Sequence, residues 1–211
     1  MSLELFNYPY SVYGRIVRIV LAEKGIRYET REINPFAPEV SKEYLDIHPF
    51  SRVPAIRHDG FILYETAAIT DYLDTRFGGP SLQPAEPAPR ARMRQIISLV
   101  DNYAYLPLVR QVFSHRVFRR AFGEVADENV IAEGLAAAPR ILAALELLLK
   151  EDGYATGADL SLADTHLAPM IDYFTMAEEG ADMLRNYPKL NGWWNRIKNR
   201  SSILETRPYL K

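Results

Sequence analysis

The 211-residue sequence contains no cysteine, and this absence narrows its chemistry more than any other feature of its composition. Without thiols the chain forms no disulfide, holds no metal through thiolate ligands and offers no thiol nucleophile of its own. The four histidines are scattered along the sequence, so we predict no metal site. Any thiol chemistry must therefore be supplied by a ligand.

The sequence also lacks an excess of one charge and a long apolar run. Lys and Arg total 25 against 27 Asp and Glu, so no bulk field attracts nucleic acid or an anionic membrane. The apolar stretch 141–149 is interrupted by Glu146 and is too short to span a bilayer. The first six residues lack the basic region and apolar core of a signal peptide. We therefore expect a cytoplasmic protein that binds neither nucleic acid nor membrane.

The periodicity of apolar residues predicts two domains of different class. Residues 1–77 follow the order β-α-β, a loop that includes a short helix at 39–47, then β-β-α, which predicts an α/β domain. Residues 78–88, rich in glycine and proline, form the predicted linker. Residues 89–211 show no strand pattern and predict an all-helical domain. Its amphipathic segments run at about 89–121, 127–150, 161–177 and 188–200.

The most informative stretch begins at Val53-Pro54 and ends at Glu65-Thr66, twelve residues on. Pro54 starts a short apolar strand, where proline marks an edge or turn and sometimes a cis peptide bond. A cis bond would leave the Val53 N–H and C=O free for a peptide-like ligand. The sequence His58-Asp59-Gly60 then predicts a hairpin turn. Glu65-Thr66 opens an amphipathic helix, either as a cap alone or as an anion-binding helix start.

Residues 52–56 and 64–73 closely resemble the glutathione transferase superfamily, and the resemblance covers nearly the whole chain. It implies a thioredoxin-like N-terminal domain followed by a helical-bundle C-terminal domain. It also implies that Val53 pairs with the cysteinyl backbone of glutathione, while Glu65 and Thr66 bind the γ-glutamyl amine and carboxylate. Arg52 and Pro54 complete the glutathione-binding residues. Because cysteine is absent, the branches with a catalytic cysteine are excluded.

The loop between the first strand and the first helix should hold the group that ionises the glutathione thiol. An ordinary thiol, with a pKa of about 8.5, is only a few per cent ionised at pH 7, so a hydroxyl that donates to sulfur favours the thiolate. The family uses a tyrosine near the end of the first strand or a serine at the start of the first helix. Ser11 matches the serine type and is the predicted catalytic residue. An ordinary N-cap role for Ser11, or donation by Tyr8, Tyr10 or Tyr13, are the alternatives.

Two further parts of the ligand site follow from the resemblance. Serine-type relatives often carry a histidine for the glycyl carboxylate at the position of Glu39, so here Lys42 or Arg52 is expected to supply the positive charge. The second substrate, an apolar or aromatic electrophile, is expected beside the loop that contains Ser11. The predicted lining of its pocket is Tyr10, Tyr13, Tyr105, Val109 and Phe113.

The helical domain carries a capping box, in which Ser161 is followed three residues later by Asp164. The resembled family has the same motif at the start of a buried core helix, which implies a structural role. His166 lies two residues beyond Asp164, a spacing that points the two side chains to different faces of a helix. We therefore predict no catalytic pair there.

The resemblance also implies a homodimer with a two-fold interface. Residues 17–25 are similar to stringent starvation protein A, which has the same fold and acts as a partner of RNA polymerase. That branch tends to lack the hydroxyl that Ser11 provides, so Ser11 favours an enzyme. The sequence thus predicts a glutathione transferase that holds the glutathione thiolate for attack on an electrophile. The alternative is a non-catalytic, protein-binding module of the stringent starvation protein A type.

Overall fold

The first of two units in the fold is built around a four-stranded mixed sheet. The structure, a computed structural model, describes residues 2–39 and 41–210. Contacts divide the chain into a first unit, which extends to Ser81 and includes Glu205–Pro208, and a second unit, which comprises Leu82–Leu204 and the residues from Tyr209 on. The elements of the first unit are β1 (Leu3–Asn7), α1 (Val12–Glu23), β2 (Glu29–Glu32), α2 (Lys42–Leu45), β3 (Ala55–His58), β4 (Phe61–Tyr64) and α3 (Thr66–Arg76).

The strand order β2-β1-β3-β4 confirms the thioredoxin-like arrangement predicted from the sequence. Strand β1 is parallel to β2 and antiparallel to β3, with Leu5 opposite Ile56 in the buried centre of the sheet. Strands β3 and β4 form the predicted hairpin, whose turn residues Asp59 and Gly60 both have positive φ, 48° and 89°. The sheet brings the end of β1 and the start of β3 side by side.

Helix α1 begins directly after the loop that follows β1, and its close approach to that strand depends on Gly14. A Cβ atom at this position would lie 1.8 Å from Asn7 Oδ1. Only glycine therefore fits the contact, which fixes the position of the helix start relative to the end of β1. The helix ends before Gly25, whose φ of 61° suits glycine at a helix C-terminus.

The segment Glu205–Pro208 returns to the first unit from the far end of the chain. Arg15 is fully buried on α1, and its Nε donates to Thr206 Oγ1 over 3.5 Å. The first unit is therefore built from two stretches of sequence that lie far apart.

The second unit is helical, as predicted. Helix α7 is its central element, since every residue from Leu162 to Phe174 is buried. The segment Val100–Phe118 has π-helical geometry and contains Pro107, which cannot donate a backbone hydrogen bond within the helix. No helix among the described residues is long and apolar enough to cross a bilayer. The other helices are α4 (Pro87–Leu99), α5 (Arg119–Ala121), α6 (Glu128–Leu148), α7 (Leu162–Thr175), α8 (Glu178–Leu184), α9 (Pro188–Ile197) and α10 (Ser201–Glu205).

Candidate functional site

The turn before β3 contains Val53, whose backbone N–H and C=O are available to a ligand. The Val53-Pro54 bond is cis, and β3 begins at the next residue, Ala55. Across residues 2–39 and 41–210, no hydrogen bond engages the Val53 N–H or C=O. Val53 thus offers one donor and one acceptor to an extended peptide ligand.

The loop leading to Val53 is held by hydrogen bonds at three points. The Ser51 N–H donates to the His48 carbonyl over 2.9 Å, and the Phe50 N–H donates to His48 Nδ1 over 3.4 Å. Tyr44 Oη donates to the Arg52 carbonyl over 2.5 Å. Ser51 has a φ of 54°, in the left-handed region. These hydrogen bonds therefore fix the conformation of the loop before Val53.

The pair Glu65-Thr66 lies at the start of α3 with an unusual backbone. Glu65 has φ 71° and ψ 118°, a sparsely populated combination for a residue with a side chain, at a cost of about 1–3 kcal/mol. Its side chain is exposed and makes no cap hydrogen bond, so the capping alternative does not apply to Glu65. The first-turn N–H groups of α3 remain available, beside an acid and the hydroxyl of Thr66, for a group that carries both an amine and a carboxylate.

Ser11 is the N-cap of α1. Its Oγ accepts a hydrogen bond from the Gly14 N–H over 3.0 Å, so the capping role expected as an alternative is present. A hydroxyl both donates and accepts, and capping uses only its lone pairs. In the described part of the chain no acceptor takes the hydroxyl proton of Ser11. Capping and donation to a ligand are therefore compatible.

Aromatic rings surround the loop that contains Ser11. The Tyr8 and Tyr10 rings meet edge to face with centroids 5.4 Å apart, and Tyr8 meets Phe36 in the same way at 5.9 Å. Tyr13 lies in the first turn of α1 and is half-buried. Phe36 was not anticipated from the sequence, because it precedes α2 in a loop without periodic pattern. These rings form an apolar surface within the first unit.

The remaining predicted site residues differ in how exposed they are. Glu39, Lys42 and Arg52 are all exposed. On the π-helical segment Tyr105 is half-buried, whereas Val109 and Phe113 are buried. The Phe113 ring stacks on Tyr173 with centroids 4.3 Å apart, and this contact belongs to the core of the helical unit. No group of three acidic or histidine side chains suited to a metal occurs among the described residues.

The ionisation of His48 should make the stability of the first unit depend on pH. Burial lowers its pKa below the ordinary 6.5, with the Glu65 carboxylate opposing the shift and Arg52 adding to it. The folded unit favours the neutral imidazole, so its contribution to stability is present above pH ~6.5 and is lost as pH falls through the lowered pKa. We expect an NMR titration to place the His48 pKa below 6.5. Replacement by asparagine should flatten the acid-side loss of stability, whereas a titration midpoint above 6.5 would contradict the assignment.

Sequence models of two glutathione S-transferase domains match the chain, the N-terminal domain over residues 5–81 and the C-terminal domain over residues 97–201. Glutathione S-transferase F13 of Arabidopsis thaliana is 28% identical over 213 residues, which cover 100% of this chain and 97% of that protein. The stringent starvation protein A homolog of Haemophilus ducreyi is 27% identical over 171 residues, covering 80% of this chain and 73% of that protein. A Methylobacillus flagellatus glutathione S-transferase, solved with glutathione bound, has a TM-score of 0.79 at 26% identity, covering 99% of this chain and 100% of its own.

Proposed function

The chain belongs to the glutathione S-transferase superfamily, and from this premise we propose that it is a glutathione transferase whose Ser11 stabilises the thiolate. The observation that carries the proposal is the Ser11 hydroxyl, which accepts from the Gly14 N–H and keeps its proton for a further acceptor. A glutathione sulfur anion is such an acceptor. The glutathione-bound relative from Methylobacillus flagellatus supports the choice of ligand.

The proposed binding mode uses the free groups described above. The cysteinyl backbone of glutathione pairs with the N–H and C=O of Val53, next to Pro54. The γ-glutamyl amine is bound by Glu65, and its carboxylate by Thr66 and the first-turn N–H groups of α3. Arg52, with Lys42, attracts the glycyl carboxylate.

The proposed reaction is attack of the glutathione sulfur on an electrophile. Ser11 donates its hydroxyl proton as a hydrogen bond to the sulfur, which favours the thiolate over the thiol, and the start of α1 adds a positive potential. A pKa lowered by two units corresponds to about 2.7 kcal/mol in favour of the anion. The thiolate then forms the new carbon–sulfur bond while the electrophile loses its leaving group or takes up a proton.

The proposed second substrate is apolar or aromatic. The rings of Tyr8, Tyr10 and Phe36 support this class within the first unit, because aromatic faces favour flat apolar ligands.

We also propose a homodimer. Phe50 is 66% exposed, and an interface with a second copy of the chain would cover this ring.

Replacing Ser11 with alanine tests the serine assignment. We expect the thiolate absorbance of bound glutathione to fall to a few per cent at pH 7 and kcat/KM to fall roughly 25-fold, because a return of the thiol pKa from about 6.5 to about 8.5 lowers the ionised fraction by that factor. Calorimetric titration should still show glutathione binding, since Val53 and Glu65 are unchanged. Ser11→Thr keeps the hydroxyl and should restore the signal.

A matched control separates this effect from the loss of a helix cap. Ser41 caps α2 through a hydrogen bond from the Tyr44 N–H at 3.3 Å, so Ser41→Ala removes an equivalent cap at a cost of about 1 kcal/mol. It should leave the thiolate signal intact. A signal that survives in Ser11→Ala would move the donor role to Tyr8, Tyr10 or Tyr13. No binding at millimolar glutathione would overturn the transferase and favour a protein-binding module like stringent starvation protein A.

A further inference from the structure

The hydroxyl of Tyr44 donates a hydrogen bond to one backbone carbonyl next to the candidate site. Tyr44 lies on α2 and is 2% exposed, and its Oη donates to the carbonyl of Arg52, eight residues on. A phenylalanine would fill the same apolar space without this hydrogen bond. Core packing alone therefore accounts for the ring of Tyr44 but not for its hydroxyl.

The ring of Tyr44 is fixed on two sides. It contacts Phe6 of β1 with centroids 5.7 Å apart and His48 at 6.4 Å. The same core cluster contains Ile47 and Ala55, with Val53 packed against it. Because the ring has no room to swing, the position of its hydroxyl is set by the core of the unit.

The bond to the Arg52 carbonyl controls the neighbouring N–H. The Arg52 C=O and the Val53 N–H belong to one planar peptide group, in which they point in opposite directions. Holding the oxygen toward Tyr44 therefore directs the Val53 N–H away from the core. A carbonyl that accepts a hydrogen bond also polarises its amide, which strengthens the N–H as a donor.

We propose that Tyr44 is a positioning residue of the ligand site, which orients the Val53 N–H for the peptide backbone of glutathione. This inference rests on the proposed function, since it concerns the same ligand. Tyr44 acts through the Arg52–Val53 peptide group and does not touch the reacting sulfur.

Ionisation does not interfere with this role. Burial raises the pKa of Tyr44 above its ordinary value of 10.0, so the phenol stays a neutral donor across the pH range of an enzyme assay. The effect of removing the hydroxyl should therefore be independent of pH between about 6 and 9.

The test replaces Tyr44 with phenylalanine and measures binding of glutathione and of S-methylglutathione by calorimetry. We expect both dissociation constants to rise about 3- to 10-fold, because one oriented hydrogen bond is weakened. The thiol pKa of bound glutathione and kcat at saturation should not change, since Ser11 is untouched. In NMR spectra of the ligand-free proteins, the Val53 amide resonance of Tyr44→Phe should be shifted from its wild-type position.

The matched control is Tyr72→Phe in the same unit, where the tyrosine Oη lies 2.7 Å from His58 Nδ1. This variant loses a comparable buried hydrogen bond and should bind both ligands as the wild type does. If Tyr44→Phe binds as tightly as wild type, or if both variants weaken binding equally, the positioning role is overturned while the transferase remains. If wild type itself binds neither ligand, the proposed function falls, and this inference with it.

Discussion

Replacing Asp164 with alanine is expected to lower the free energy of unfolding of the helical unit by about 3–5 kcal/mol, because several buried donors lose their acceptor. Asp164 has no exposed surface. Its Oδ1 accepts from the Ala155 N–H and from Trp193 Nε1, both at 2.7 Å. Its Oδ2 accepts from the N–H and the hydroxyl of Ser161, at 2.8 and 2.7 Å. Alanine would leave four donors inside the protein without an acceptor, and each unpaired buried donor is costly.

The large effect follows from the position of this carboxylate. Through Asp164 the start of α7 is joined to the loop at Ala155 and to Trp193 on α9. Burial raises the pKa of Asp164, and the four donors oppose the shift. Asparagine is nearly isosteric, yet its amide nitrogen would face one of the two donor pairs. We therefore expect Asp164→Asn to lose roughly half as much stability as Asp164→Ala.

Amide hydrogen exchange along α7 measures the stability of this unit directly. Asp182→Ala is the control, because Asp182 is an exposed acid paired with Arg185 three residues on, worth under about 0.5 kcal/mol. An Asp164→Ala protein whose free energy of unfolding lies within about 1 kcal/mol of the wild-type value would contradict this account. The thiolate signal of glutathione bound to the folded protein should persist, since the role is structural.

Breaking the ion pair between Lys24 and Asp74 is expected to destabilise the first unit by about 3–5 kcal/mol. Lys24 Nζ lies 2.9 Å from Asp74 Oδ1, with side chains only 1% and 3% exposed, and it also donates to the Pro80 carbonyl over 3.0 Å. Asp74→Ala would leave a buried ammonium group that has lost this carboxylate. The pair joins the end of α1 to α3, so its loss should loosen both helices.

The double replacement Lys24→Met with Asp74→Leu should recover most of the lost stability, to within about 1 kcal/mol of wild type. Apolar side chains of similar volume fill the site without a charge to desolvate. Hydrogen exchange of the β1 and β3 amides, measured for Lys24→Met, for Asp74→Leu and for the double variant, gives the coupling energy. A double variant whose loss of stability equals the sum of the two single losses would show that the pair is not coupled.

The sequence predicts best those features that depend on neighbouring residues. Pro54 marked the start of β3, Asp59-Gly60 marked the hairpin turn, and Ser161 with Asp164 marked the start of α7. Each of these signals acts over three or four positions, where backbone preference and local hydrogen bonding decide the structure. The resemblance to glutathione transferases supplied the order of the domains, which local patterns alone do not fix.

Features that depend on distant residues could not be predicted in this way. The short helices α8 and α10 were missed, and the helix expected at 39–47 is only Lys42–Leu45, with Val40 outside the described residues. The start of α9 is capped by Glu146 of α6, which accepts from the Lys189 and Leu190 N–H groups at 3.0 and 2.8 Å. Such a cap arises from tertiary contact across more than forty residues.

The hydrogen bond from Tyr44 to Arg52 and the backbone conformation of Glu65 also could not be predicted from the sequence, although Tyr44 and Arg52 are only eight residues apart. Nothing in the residue types predicts a positive φ at Glu65, since glycine or asparagine would be expected there. Such a conformation persists only where the surrounding fold imposes it. The candidate site is therefore visible in the sequence as a set of residues, whereas its shape is a property of the folded unit.

Because Glu205–Pro208 packs with the first unit, that unit is completed only near the end of synthesis. A ribosome that has released residues up to Ser81 has produced the whole sheet, yet the partner of the buried Arg15 at Thr206 has still to be translated. The final contacts of the first unit therefore form only after residues Leu82–Leu204 have been translated. Biogenesis of this protein is in this respect not sequential from the N-terminus, in contrast to chains whose domains are contiguous.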